Sequence, residues 1–176
     1  TEITYALSFK GTQVLQPSGS ACTFKQAPPL GKGLEVVSDK TALVDETWKP
    51  VLKRLETVRN NYNNLRLELK EKRFPQRNII LEFRAFNNGV AFRTEFTEQF
   101  TSHEYAMTDE LTQFNFTSNH TCWAVNYGSY TTSQEVESFE RKINEITPEM
   151  VIGLPITIKI DEKCYTAITE ADIENY

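Results

Sequence analysis

Residues Ile79 to Phe96 read IILEFRAFNNGVAFRTEF, and this stretch decides the fold. β-Branched and aromatic segments flank Asn87-Asn88-Gly89, and the Asn-Gly step tolerates the positive φ that a tight hairpin turn requires. Charge selects the register. A two-residue loop at Asn88-Gly89 sets Arg84 against Arg93 and Glu82 against Glu95, and like charges directly opposite destabilise a pair. A longer loop, Phe86 to Gly89, sets Glu82 against Arg93 and Phe83 against Phe92, and this register is preferred. Leu81, Phe83, Ala85, Val90 and Phe92 then share a core face, with Glu82, Arg84, Arg93 and Glu95 on an ion-paired outer face.

At 176 residues the chain has the size of one domain and can bury a core without staples. Its 7 glycines and 7 prolines are dispersed, so no linker, repeat or low-complexity run interrupts it, and a single domain over residues 1–176 is expected. A net charge of −5 with scattered lysine and arginine provides no basic stripe for a phosphate backbone, which argues against a nucleic-acid partner. The densest charge run, Lys70 to Arg73, reads as a solvated turn. No apolar run reaches the roughly 20 residues of a membrane span. The opening residues lack the charged, apolar, small-residue order of a leader, and a leader already removed stays an open reading. Cys22, Cys122 and Cys164 have no metal-ligand spacing, and their odd number leaves at least one unpaired; buried free thiols are the favoured reading.

Outward from the hairpin, Ile3 to Lys10 alternates into Gly11 as a strand and turn, with its partner starting at Gln13 to Leu15. Gln26 to Gly33 is a loop by its prolines and glycines. Leu34 to Val37 and Thr41 to Val44 are short strand candidates. Val51, Leu52, Leu55 and Val58 have helical spacing after Pro50, so a helix competes with a strand there, and Asn60 to Asn64 would end it. Leu65, Leu67 and Leu69 alternate with charge as a strand. Beyond the hairpin, Leu111 to Phe116 reads as a strand and Trp123 to Tyr130 as an aromatic loop. A long exposed connection runs to Glu149. Val151 to Ile160 and Cys164 to Ile168 form a second hairpin around Asp161-Glu162. Asn115-Phe116-Thr117 and Asn119-His120-Thr121 match the N-glycosylation pattern, but short patterns recur by chance. Many short strands with turns between them indicate a mainly β fold, an antiparallel sandwich.

DETWKPV (Asp45 to Val51), VRNNYNNL (Val58 to Leu65), FRAFNNGVAFRTEF (Phe83 to Phe96), YTTS (Tyr130 to Ser133) and ITEADIENY (Ile168 to Tyr176) occur in this order. Together they resemble the N-terminal domain of glycoside hydrolase family 97. The resemblance implies a galactose-mutarotase-like β super-sandwich, here truncated on its C-terminal side. In the family it packs on a downstream catalytic (β/α)8 barrel that cleaves α-glucosides or α-galactosides, in a periplasmic or secreted bacterial enzyme. Glycoside hydrolysis needs two carboxyl groups flanking the scissile bond, and family members carry them on the barrel. No catalytic residue is therefore expected in this chain.

The family's sandwich lends a glutamate to a calcium site facing the barrel, and the matching position is Glu170. Calcium takes several oxygen ligands, so a carboxylate from one domain can complete a site built mostly by another. The motif departs from the family at Thr169, where histidine is common, and at Asp172. Trp123, Tyr127 and Tyr130 suggest sugar stacking, because flat apolar rings with polar edges suit pyranose faces, with core or interface packing as the competing reading. Gly128 departs from the aspartate usual in that loop. His103 and His120 lack the arrangement of a triad and read as surface residues. Three functions stay in view: a substrate-lining, non-catalytic domain that partners its own barrel on an α-linked oligosaccharide, a free-standing carbohydrate-binding module, and a structural interaction domain.

Overall fold

The computed structural model describes residues 2–51, 55–97 and 106–171. Among them run twelve strands and no α-helix: β1 (Thr4–Phe9), β2 (Thr12–Gly19), β3 (Cys22–Phe24), β4 (Leu34–Trp48), β5 (Val58–Glu71), β6 (Asn78–Ala85), β7 (Val90–Phe96), β8 (Met107–Glu110), β9 (Thr121–Asn126), β10 (Phe139–Lys142), β11 (Ile152–Lys159) and β12 (Tyr165–Ile168). The mainly β, antiparallel fold expected from the sequence is the fold observed. Two compact units are formed, Thr1–Thr4 with Gly19–Gln113, and Tyr5–Ser18 with Phe114–Tyr176.

The first unit holds a four-stranded sheet in the order β4-β5-β6-β7 and the pair β3-β8. Its central hairpin has the register that charge selected, with Glu82 opposite Arg93 and Phe83 opposite Phe92. The amide of Phe86 donates to Gly89 O at 2.8 Å across the loop. Strand β4 unites the two short candidates, because it pairs with β5 from Leu34↔Glu71 to Trp48↔Val58. The asparagines expected to end a helix lie inside β5. They hold the far end of the hairpin through side chains: Asn60 donates to Glu46 at 2.7 Å, and Arg59 grips Asp45 through two bonds of 2.7 and 2.5 Å. Of the helical candidate, Leu52 lies outside the described residues, and Val51, Leu55 and Val58 show no helix.

One face of this sheet carries the core. Leu34, Leu69, Ile79 and Leu81 are buried together with Leu30, and Ile3, Phe24, Leu67 and Phe83 pack against them. The expected core face is shorter than predicted. Leu81 is 5 % exposed, but Val90 is 45 % exposed and Ala85 is also open, because the packed layer ends near Phe83. The opposite face is ion-paired as expected, with one difference: Glu82 is buried. It accepts from Arg93 Nε at 3.0 Å and Arg84 Nη2 at 3.2 Å, while Arg66 pairs with Glu95 at 3.2 Å. Burial raises the Glu82 pKa, but the bonds and charges of Arg84 and Arg93 outweigh it and hold the carboxyl below its ordinary value.

The charged turn between β5 and β6 is only partly solvated. Lys72 and Arg73 are exposed, whereas Glu71 and Arg77 are 7 % and 2 % exposed. Arg77 donates Nε and Nη2 to the two Glu71 oxygens at 2.8 and 2.7 Å, a bidentate pair. Its Nη2 also reaches Pro28 O at 2.8 Å, and the guanidinium lies 4.9 Å from the Phe24 ring centre. Gln76, at φ 61°, takes the left-handed conformation that brings Arg77 back toward Glu71.

In the second unit, β1 and β2 form the hairpin read from Ile3 to Leu15, turning at Lys10 (φ 48°) and Gly11 (φ 84°). Leu111 to Phe116 is not a strand. It pairs irregularly instead: the amides of Leu111 and Gln113 donate to Ala21 O and Gly19 O at 2.7 and 2.9 Å, the amide of Gln16 donates to Asn115 O at 2.8 Å, and Leu15↔Phe116 is an isolated bridge. The second hairpin is present as β11 and β12, with Lys159 opposite Tyr165. The long connection before Glu149 contains strand β10 and a turn of 3₁₀ helix, Ile143–Glu145, because Phe139 and Arg141 pair with the half-polar strand β9.

Two outcomes follow for stability. Glu71→Ala leaves Arg77 buried without its counter-charge and should cost about 3–5 kcal/mol, whereas Glu71→Leu combined with Arg77→Met should cost less. Urea unfolding of both variants checks this, and the opposite order would show that the pair stabilises in its own right. Because the folded Glu82 pKa is depressed, its contribution is complete above the unfolded value and is lost as pH falls through the folded one. Melting temperatures from neutral pH into this acid range should fall less steeply for Glu82→Gln.

Candidate functional site

The predicted aromatic loop proves to be a central strand. β9 lies inside a four-stranded sheet ordered β10-β9-β11-β12. Its small residues Cys122 and Ala124 point inward, at 0 % and 2 % exposure, as does Ile158 of β11. Thr121, Trp123 and Val125 occupy the other face by alternation. Apolar residues on both faces hid this period in the sequence, and the chain becomes a loop only from Tyr127.

The three aromatic candidates have different surroundings. Trp123 is half-buried, its indole Nε1 donates to Glu140 at 3.1 Å, and its ring lies 6.1 Å from that of Tyr165 at an angle of 33°. Tyr127 lies over Gly153: a Cβ added at Gly153 would meet the Tyr127 ring at 2.6–2.8 Å. Gly153 pairs with Val125, so Tyr127 covers the face that also carries Trp123. Tyr130 stands apart at 93 % exposure, beyond the turn at Gly128 (φ 69°). Tyr165 and Glu140 were missed by sequence reasoning. Tyr165 opens an alternating strand, but nothing local indicates that β11 brings it beside Trp123.

Glu170 is exposed two residues beyond β12, and Asp172 lies outside the described residues. Among the described residues no group of three or more His, Cys, Asp or Glu side chains could hold a metal. Glu170 therefore fits calcium only as one ligand of a set completed elsewhere. His103 is outside the described residues. His120 is half-buried, and its ring meets Thr117 Oγ1 at 3.0 Å and Ser118 Oγ at 3.3 Å within one turn, which is local structure and not a catalytic relay. The cysteines are free, with Cys22 and Cys122 buried as expected and Cys164 half-buried. Burial, helped by Glu110, pushes the Cys22 thiol up to about 11, and burial also raises Cys122, so both are poor nucleophiles.

In the first unit, the uncovered end of the β4–β7 core face forms an open concavity of about 510 Å³ lined by Thr41, Leu43, Asn63, Leu65, Phe83 and Ala85. Leu43 is 73 % exposed there. This apolar surface is continuous with the buried cluster through Phe83.

The family profile described as Glycosyl-hydrolase 97 N-terminal matches residues 1–176. A retaining alpha-galactosidase of Bacteroides thetaiotaomicron is 29% identical over 185 aligned positions, covering 99% of this chain and 26% of that protein. Among solved structures, a glycoside hydrolase family 97 enzyme in complex with acarbose, from Pseudoalteromonas sp. strain K8, matches 90% of this chain and 24% of its own, with a TM-score of 0.76 and 22% identity. A beta-arabinopyranosidase matches 98% of this chain and 28% of its own, with a TM-score of 0.80 and 16% identity. The chain thus spans about a quarter of the length of the relatives it matches.

The contact between Tyr127 and Gly153 gives a direct test. Gly153→Ala should destabilise by about 1–3 kcal/mol through overpacking, because the Tyr127 amide is bonded to Val151 O and the ring must swing away. In a double-mutant cycle read by thermal unfolding, Tyr127→Ala should remove most of the penalty. Additive costs would place the strain elsewhere.

Proposed function

The chain belongs to the glycosyl-hydrolase 97 N-terminal family, and from that premise we propose that it is the non-catalytic N-terminal domain of a larger hydrolase of α-glucosides or α-galactosides. The observation that carries this reading is the family match over the whole chain, together with the quarter share of each relative that the chain spans. In this reading the remaining polypeptide supplies further strands and a (β/α)8 barrel with the catalytic carboxylates, in a periplasmic or secreted enzyme. The open apolar end of the β4–β7 sheet supports it, since Leu43 and Val90 continue a core face and gain from being covered.

Glu170 supplies one carboxylate to a calcium ion shared with the barrel. Bound there, calcium provides positive charge beside an α-linked oligosaccharide, and its shell of roughly six to eight oxygens comes mostly from the other domain. The exposed position of Glu170, just past the sheet, leaves its carboxylate available to such a partner. This chain's own part is to hold that carboxylate at the end of β12, and the β11–β12 pairing fixes the strand as far as Ile168. Trp123, Tyr127 and Tyr130 are its candidate sugar contacts.

In the full-length parent, Glu170→Gln keeps the size of the side chain and removes its charge. Calorimetric calcium titration should show weaker binding, and turnover of an aryl α-glycoside should fall with it, while the thermal unfolding of the domain stays unchanged. Equal affinities and equal rates would make Glu170 an ordinary surface residue.

A further inference from the structure

We propose that the solvent face of the β10-β9-β11-β12 sheet is a surface site for a linear oligosaccharide, with Trp123 and Tyr165 as its stacking platform and Tyr127 as an outer contact. The platform follows from strand register. Glu140, Trp123, Thr157 and Ala167 lie directly across from one another on successive strands, and Lys142, Thr121, Lys159 and Tyr165 form the adjacent row. Directly paired residues share a face, so both rows project from the side opposite the buried Cys122 and Ile158.

Three observations indicate a ligand surface. First, the rings are held but open: Trp123 is tethered to Glu140 through its indole nitrogen, and Tyr165 beside it is 54 % exposed. Second, the polar rim is already built. Lys142 Nζ donates to Thr121 Oγ1 at 2.9 Å, and Lys159 is paired to Glu162 at 2.6 Å. The Glu162 carboxylate, with a further contribution from Tyr165, raises the Lys159 pKa. Third, the Tyr127 ring is packed over Gly153 on the same face, and Gly153 pairs with Val125, four residues along β9 from Thr121 in the row of Tyr165, which is roughly 13 Å of strand.

A pyranose presents an apolar C–H face to an aromatic ring and a rim of hydroxyls that donate and accept at once. Glu140, Lys142, Thr157 and Lys159 offer both kinds of partner around the rings. The core of a protein-docking patch is depleted of charge, whereas here charged residues interleave with the aromatics. The spread from Tyr127 to Tyr165 suits a chain of several sugar units and not a single ring. Only the α-linked class of ligand rests on the reading of the parent as a glycoside hydrolase; the platform itself does not.

Affinity electrophoresis of the full-length parent tests the site, in native gels cast with soluble starch or with galactomannan. The native protein should be retarded in at least one gel, and Trp123→Ala and Tyr165→Ala should each weaken that retention tenfold or more. Tyr165 is largely exposed, so its variant should keep the native melting temperature. Retention equal to native in both variants, or no retention of the native protein in either gel, overturns the proposal. Tyr165→Cys adds an independent arm: maleimide labelling of the folded parent beyond that of the native protein, whose free Cys164 is half-buried, is expected, and no added labelling would mean that protein covers the face. Aryl α-glycoside turnover by the native parent is scored separately, so its absence would remove the assignment as a hydrolase domain and leave gel retention to judge the platform.

Discussion

The bidentate pair between Glu71 and Arg77 constrains the first unit more than any other contact. It sits where β5 turns into β6, almost without solvent, and one guanidinium binds the strand it follows, the carbonyl of Pro28 and the face of Phe24. Burying two charges is costly, and such a pair specifies geometry more clearly than it adds stability. Here the geometry joins the sheet's central turn to the proline-rich segment and to β3. Leu30 lies in that segment and belongs to the core cluster, so the polar contact and the apolar cluster position the same elements.

The β4–β7 sheet then divides its two faces by chemistry. Leucine and isoleucine pack on one side near the turn, and toward the hairpin tips the same face continues without a covering layer. On the other side Glu82 lies between Arg84 and Arg93, which makes a buried carboxylate tolerable and keeps it ionised. Strand β4 runs 15 residues along the sheet edge, and it carries Glu35, Asp39, Lys40, Asp45 and Glu46. Charge on an edge strand discourages unwanted strand addition, while exposed Val36, Val37 and Leu43 leave room for a specific neighbour.

In the second unit residue size sorts the faces. Cys122 and Ala124 let β9 pack closely inside, so its one large side chain, Trp123, stands outward. Gly153 performs a similar function across the sheet by admitting the Tyr127 ring where a Cβ would collide. An aromatic face with a charged rim follows from these choices of small residues.

By itself the sequence determined the central hairpin, its loop from Phe86 to Gly89 and its register, because like charges opposite one another leave a single acceptable pairing. β-Branched runs on either side of Asp161-Glu162 determined the second hairpin, and the ordered motifs from Asp45 to Tyr176 determined the family. Tertiary structure alone decided that Asn60 to Asn64 continue a strand, since they pair with β4, where Asn60 and Asn61 donate to the Glu46 carboxylate and the Val44 carbonyl, partners no local pattern names. It also decided how far the core face of the central hairpin was covered, because burial depends on neighbours distant in the chain. The candidate site divides in the same way. Trp123 and Tyr127 were legible as aromatics near a glycine, but Tyr165 and Glu140 became their neighbours only through the pairing of β9 with β10 and of β11 with β9 and β12. Cross-strand register is set by the whole sheet, and a single strand cannot encode which side chain will stand beside it.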